Sequence, residues 1–335
     1  MQLLRKLLFP FSFIYALVVH LRNFLYDKGV FSSQKFDVPI VCIGNLSVGG
    51  TGKTPMTEFL IELMKPHYKL AVLSRGYKRK SDGFLLADEH TTVEALGDEP
   101  YQIHQKFPGV ALAVDANRRE GIRLLSDAVK PQMIILDDAF QHRKVKPHFS
   151  FLLTPYGDLY TDDWYLPTGN LRDSKKAAQR ADIIVVTKCP SKITKTEQGT
   201  ILEKLKPHKH QVVLFSFLDY EDAFHGLSEK MEVEALQGKE ITLVTGIVNP
   251  APLVAYLKSK GLAFEHLAFK DHHFFNQKEI DLLNRKQLII TTEKDFVRLR
   301  NCVPNLYYLP VMHRFMGDGK RIIFDALTKL MKGRS

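Results

Sequence analysis

"GNLSVGGTGKTP" runs from Gly44 to Pro55, directly behind the apolar run Val38, Ile40, Val41 and Ile43. Four glycines, a lysine and two threonines stand where a strand should give way to a helix. Against the pattern G-x-x-x-x-G-K-[ST], the window from Ser47 to Thr54 matches at Gly52, Lys53 and Thr54 and carries Ser47 where the first glycine belongs. Gly49, Gly50 and Gly52 let the backbone bend with its N–H groups turned inward, and a helix starting near Lys53 points its positive end into that bend. Phosphate oxygens suit such a place. Ser47, Val48, Gly49, Gly50, Thr51, Gly52, Lys53 and Thr54 are therefore the expected nucleotide cradle. Within it Lys53 reaches the β- and γ-phosphates and the Thr54 hydroxyl ligates Mg²⁺. A plain glycine turn accounts for the glycines but not for the adjoining Lys-Thr pair or the strand before it.

A loop of this kind needs a second metal-holding carboxylate at the end of a neighbouring strand. "MIILDDAFQH" supplies one: Met133 to Leu136 read as a buried strand, with Asp137 and Asp138 emerging at its carboxyl end. Two acids beside an apolar strand call for a compensating cation. Thr54, Asp137 and Asp138 are thus the expected metal set, and the spacing does not choose between the two aspartates. "TKCP", Thr187 to Pro190, starts like a guanine-recognition element but has proline in place of its aspartate, which leaves adenine as the expected base.

Working outward, short aliphatic or β-branched runs predict strands at 38–43, 70–74, 110–114, 132–136, 149–153, 183–187 and 212–217. Helix-like stretches such as 53–65 and 117–129 lie between them, the latter with Asn117 and Glu120 as an expected capping pair. Strand alternating with helix means a mostly parallel sheet with helices on both faces. "SRGYKRKSDGFLLA" reads as a basic hairpin turning at Asp82-Gly83. A polar, turn-rich break follows residue 220, after which strands at 241–246, 262–268 and 287–291 and helices at 250–260, 277–284 and 319–332 form a smaller α/β unit. The expected organisation is an N-terminal amphipathic segment over 1–35, a nucleotide-binding domain over 36–222 and a C-terminal α/β domain over 223–335.

Hydrophobic residues make up 45% of the 335 and charged residues 25%, ordinary values that indicate neither a disordered chain nor a polytopic membrane protein. A formal net charge of +10 asks for an anionic partner. No aromatic-interleaved basic repeat is present, so nucleic acid is not the expected one. Cys42, Cys189 and Cys302 are too few and too scattered for a disulfide framework, consistent with a reducing cytoplasm. "LLFPFSFIYALVV", Leu7 to Val19, is shorter than the roughly 20 residues a spanning helix needs and has no small-residue cleavage site behind it. With Arg5, Lys6, Arg22, Lys28 and Lys35 around it, it suits the headgroup layer of an anionic bilayer. Read alone, Asp98 is a turn acid between Gly97 and Pro100, and His272-His273 is a poor metal pair because adjacent side chains diverge.

"GNLSVGGTGKTP", "LSRGY" (Leu73 to Tyr77), "GDEP" (Gly97 to Pro100), "LDDAFQHR" (Leu136 to Arg143), "LPTGNLRD" (Leu166 to Asp173), "VVTK" (Val185 to Lys188), "FKDHHFF" (Phe269 to Phe275) and "TTEKD" (Thr291 to Asp295) together resemble the tetraacyldisaccharide 4'-kinases of lipid A biosynthesis. The blocks follow the family's order over nearly the whole chain. The resemblance implies a P-loop NTPase-like domain, a smaller C-terminal domain and a membrane-associating N-terminal helix. It also implies ATP- and Mg²⁺-dependent phosphorylation of the 4'-hydroxyl of a tetraacylated glucosamine disaccharide 1-phosphate, at the cytoplasmic face of the bacterial inner membrane and without an obligate protein partner. Asp98 and His272 become the pair that activates the acceptor hydroxyl, with Asp271 expected to orient His272. Arg172 is the candidate for stabilising transferred charge, since a guanidinium grips phosphate oxygens as a fork. Asp173 stands where the family favours glutamate, so a shorter carboxylate must reach the same partner or the role is relaxed. Two rivals remain at this level: a membrane-docked, nucleotide-switched ATPase, which leaves Asp98 and His272 idle, and a kinase of a soluble sugar or cofactor, which leaves the N-terminal segment idle.

Overall fold

The computed structural model describes Arg5 and residues 7–333; the expected basic residue Lys6 lies outside them. The aliphatic runs form β1 (Ile40–Asn45), β2 (Leu70–Ser74), β3 (Leu85–Leu86), β4 (Ala111–Val114), β5 (Met133–Leu136), β6 (Phe149–Pro155), β7 (Ile183–Thr187) and β8 (Val212–Tyr220). After the break come β9 (Ala223–His225), β10 (Lys230–Glu232), β11 (Ile241–Thr245), β12 (Phe264–Ala268), β13 (Leu288–Thr291), β14 (Leu306–Tyr308) and β15 (Val311–Phe315). Among the described residues nine strands make the first sheet, in the order β15-β8-β7-β6-β1-β5-β2-β4-β3, and six make the second, β10-β9-β14-β13-β11-β12. In the first sheet only the two edge pairs, β3 with β4 and β15 with β8, are antiparallel. Parallel strands buried on both faces need apolar side chains at every position, and β1, β2, β5 and β7 are buried throughout. One apolar cluster covers each face of that sheet. This is the mostly parallel α/β arrangement expected of the sequence.

β1 lies between β5 and β6, so the glycine loop leaving β1 and the aspartates leaving β5 emerge side by side at the carboxyl edge of the sheet. Ligands of open α/β sheets bind at that edge, because the helix N-termini converge there. In the second sheet β11 runs parallel to β12 and β13, so Gly246, His272 and the helix Glu293–Leu299 all follow strand carboxyl ends, and His272 and Arg298 reach Asp98 from there.

Three details differ from the sequence reading. Asn117 makes no side-chain cap; its own N–H goes to Asp115 Oδ1 at 2.8 Å, while Glu120 is taken by Arg123 at 2.5 Å. The basic hairpin does not form: Leu85–Leu86 pair with β4 rather than with β2. The segment before them is held instead by Lys80 N–H to Glu94 O, 2.7 Å, and Ser81 Oγ to Ala95 O, 2.5 Å. Finally, the chain beyond residue 222 belongs to both sheets. Its last strand, β15, returns to pair with β8, and the final helix Gly319–Lys332 buries Ile323 and Leu327 in the first sheet's core.

The N-terminal helix Phe9–Asp27 is inside out. Its buried residues include Ser12 and Asn23, whereas Phe13, Leu17, Val18 and Leu21 face outward, each more than half exposed. The inward face is tied by polar bonds: Ser12 to Thr168, 2.8 Å, Tyr15 to Arg172 O, 3.1 Å, and Asn23 to Asp173, 2.7 Å. Among the described residues no helix is long and apolar enough to cross a membrane.

Candidate active site

The glycine loop closes onto the helix Lys53–Met64 through Gly52, which caps the helix in the left-handed region at φ +88°. No side chain caps that end, so its first amides are free for a ligand. The loop is fixed from beneath by Asn45, which donates to Thr51 Oγ1 at 2.9 Å, and by Thr187, whose hydroxyl donates to Thr51 O at 2.8 Å. Ser47 donates to Asp163 at 2.8 Å, and Val48 N–H to Asn170 O at 2.8 Å, so the non-glycine start of the loop is anchored to the segment preceding Arg172. A Cβ on Gly50 would lie 3.8 Å from Lys188 Nζ; a second ammonium therefore faces the loop beside Lys53.

The two aspartates behave differently. Asp137 is buried and accepts from Thr57 and Ser74, both at 3.2 Å. Burial, reinforced by the charge of Asp138, pushes its carboxyl up to about 6. Asp138, at φ +46°, faces Lys53 across 3.7 Å and receives both terminal nitrogens of Arg172, one at 3.1 Å. Burial opposes its ionisation, but Lys53 and Arg172 together outweigh burial and hold it below the usual range. Arg172 also donates to Asn45, while its Nε is buried without a partner.

Across the cleft, Asp98 begins the helix Asp98–Lys106. Gly97 precedes it at φ +87°, where a Cβ would meet Tyr77 O at 2.7 Å, so glycine is required for the turn. His272, in the loop after β12, reaches Asp98 with Nδ1 to Oδ2 at 2.6 Å. Its other nitrogen takes a bond from Lys294 Nζ at 3.0 Å. An ammonium can only donate and an ionised carboxylate can only accept, so His272 carries its proton on Nδ1. Asp271, expected to orient His272, lies 3.7 Å from its Nε2 and accepts from Lys294 at 2.9 Å.

The sequence reading missed Arg298. Its Nε and Nη2 clasp both oxygens of Asp98 at 2.7 and 2.5 Å. Burial works against ionising Asp98, yet the bonds from His272 and Arg298 hold it below the ordinary carboxylate range. Arg118, also missed, is buried near both aspartates with an unpartnered Nε. An arginine inside an amphipathic helix looks like surface in a sequence, and only the fold reveals what it faces. Asp173 is fully buried, receiving Asn23 at 2.7 Å and Arg22 and Arg180 at 3.4 Å each. The shorter carboxylate thus reaches the N-terminal helix rather than the cleft.

A phosphate loop facing an acid–imidazole pair across a cleft defines a P-loop phosphotransferase. The model of the tetraacyldisaccharide-1-P 4'-kinase family matches residues 4–331. The chain belongs to that family and is a kinase of the 4'-hydroxyl of the lipid A precursor. The tetraacyldisaccharide 4'-kinase of Flavobacterium johnsoniae is 52% identical to it over 322 residues, covering 94% of each chain. That of Bacteroides thetaiotaomicron is 44% identical over 335 residues, covering 92% of this chain and 88% of its own. The crystal structure of Aquifex aeolicus LpxK in complex with ATP matches with a TM-score of 0.81 at 30% identity, over 98% of this chain and 99% of that one.

Proposed function

We propose that ATP lies with its triphosphate in the loop Ser47–Thr54, and that Asp98 takes the proton of the 4'-hydroxyl as that oxygen attacks the γ-phosphorus. The observation that carries this reading is the contact between His272 and Asp98, 2.6 Å across 174 residues of chain. A carboxylate has about four lone-pair sites. Arg298 fills two and His272 one, which leaves Asp98 one acceptor direction for a sugar hydroxyl. A carboxylate so held is a weak base. Phosphoryl transfer asks little of it, since bond formation to phosphorus lags and the proton leaves late. Placement and charge neutralisation supply most of the barrier reduction, with Lys53, Lys188 and Arg172 directed at phosphate oxygens.

Thr54, Asp137 and Asp138 are the residues that would hold Mg²⁺. A hydroxyl and two carboxylates suit a hard cation that takes one or two carboxylates and completes its shell with phosphates and water. The upward push on Asp137, caused by burial and the neighbouring charge, is what such a cation would relieve. Held there, such a cation would supply positive charge beside the phosphates and so assist departure of the leaving group.

The outward apolar face of Phe9–Asp27 supports a membrane-docked enzyme rather than a kinase of a soluble sugar. A helix whose polar side is bonded to its own protein and whose phenylalanines and leucines face out is built to lie in an interface. We place it on the cytoplasmic face of the inner membrane, where an acylated disaccharide 1-phosphate is presented from the bilayer. The residues over 36–222, completed by β15 and the last helix, would form the nucleotide unit, and the second sheet the unit that brings His272. With γ-labelled ATP and tetraacyldisaccharide 1-phosphate in mixed micelles, the purified protein should place label in the lipid. Hydrolysis of ATP without labelled lipid would leave the switch ATPase as the better reading.

A further inference from the structure

His313 sits in the middle of β15, 3% exposed, and none of the chemistry above uses it. Its ring reaches out of the strand in two directions. Nδ1 lies 3.0 Å from Ser216 Oγ on the paired strand β8, and Nε2 lies 2.9 Å from the carbonyl oxygen of Gly52. A carbonyl only accepts, so the proton is on Nε2, and the Ser216 hydroxyl donates to Nδ1. The imidazole is a rigid bridge with a fixed sense.

Gly52 is the last loop residue before Lys53. A Cβ there would come within 3.0 Å of His313 Nε2, so the ring occupies the space a side chain would need. The Gly52 carbonyl also accepts Met56 N–H at 3.1 Å, the first bond of the helix. A peptide is planar and trans, with its C=O and N–H pointing opposite ways. Fixing the Gly52 carbonyl toward His313 therefore fixes the Lys53 N–H toward the mouth of the loop, where phosphate binds. Glycine itself imposes no such preference, since it tolerates many orientations of that peptide.

Resting on the reading that ATP occupies this loop, we propose that His313 is a positioning residue for the nucleotide: it locks the Gly52–Lys53 peptide with its amide aimed at the phosphates. The final stretch of chain, after its excursion through the second sheet, returns to the first sheet and completes the phosphate loop from behind.

The test is calorimetric binding of a non-hydrolysable ATP analogue with Mg²⁺ to the full-length protein and its variants, together with KM for both substrates. His313→Phe keeps the shape and deletes the donor; the dissociation constant should rise about tenfold, the cost of one buried hydrogen bond, while KM for the disaccharide stays within about twofold. His313→Gln, which can place an N–H where Nε2 stands, should recover most of the affinity. A merely structural role would lower the binding stoichiometry and the thermal midpoint without changing the dissociation constant, and that result overturns the proposal. Should the phenylalanine variant fail to fold, Ser216→Ala decides: affinity weakened about threefold or more supports the lock, and unchanged affinity refutes it. Lys53→Ala tests the underlying reading separately. If it binds the analogue normally, the nucleotide lies elsewhere and the lock has no ligand to serve.

Discussion

Arg298 and Asp98 are 200 residues apart in the chain and joined by two hydrogen bonds, at 2.7 and 2.5 Å. The helices that bear them, Asp98–Lys106 and Glu293–Leu299, pack together and are pinned at both ends. Arg298 meets Asp98 at one end, and Lys106 meets Glu293 at 2.8 Å at the other. Asp98 is thus aimed by the second sheet's unit as much as by its own. Hydrogen bonds to charged groups contribute roughly 1.5–3 kcal/mol. Arg298→Met should therefore lower kcat about 10- to 150-fold while ATP affinity is unchanged, and Arg298→Lys should restore part of the loss. Steady-state kinetics with both substrates varied would check this, and an unaltered kcat would mean Asp98 needs no such clasp.

Lys106 also reaches Glu58 at 2.7 Å, so one half-buried ammonium serves two buried carboxylates. The excess negative charge has a consequence for stability. Burial and the charge of Glu293 push the Glu58 carboxyl up to about 8, while an unfolded glutamate titrates near 4.3. Between those pH values the native state holds more protons than the unfolded chain, so stability falls as pH rises through the window. Glu58→Gln imitates the protonated acid. It should match the parent in thermal midpoint near pH 4, below the unfolded pKa, and exceed it near pH 8; a variant less stable at pH 8 would show that the ionised pair is the favoured form.

The outward face of the N-terminal helix makes a third expectation. Phe13→Glu with Leu17→Glu places two charges on residues that touch little of the protein, being 68% and 61% exposed. Folding and ATP binding should be retained, and flotation with vesicles containing anionic phospholipid should be lost. Equal flotation of the variant and the parent would remove the membrane from the account.

Much of this architecture was legible in the sequence because its signals are local. The buried parallel strands β2 and β7 are continuous aliphatic runs, and they fall at the expected residues, 70–74 and 183–187. The phosphate loop was equally plain, since its glycines and Lys-Thr pair are contiguous. What escaped were relations made by distant segments. β14 and β15 are short and flanked by Pro304 and Pro310, so nothing marks them as strands, or β15 as a member of the first sheet. Nothing local links His313 to Gly52, or Arg298 to Asp98. The Asp82-Gly83 turn misled for the opposite reason: its local chemistry suits a hairpin, but β2 already has β4 and β5 as neighbours and offers no free edge.

In the proposed mechanism the Asp98 carboxylate, steadied by His272, receives the acceptor's proton beside a nucleotide held in the Gly52–Thr54 loop. Asp98→Asn keeps shape and removes the base. General-base catalysis typically contributes about 10²- to 10⁴-fold, and a late proton transfer to a weak base puts the loss at the low end: transfer of label from ATP to tetraacyldisaccharide 1-phosphate should fall about 10²-fold while the ATP analogue binds as before. A variant that phosphorylates the lipid at close to the parent rate would contradict the assignment.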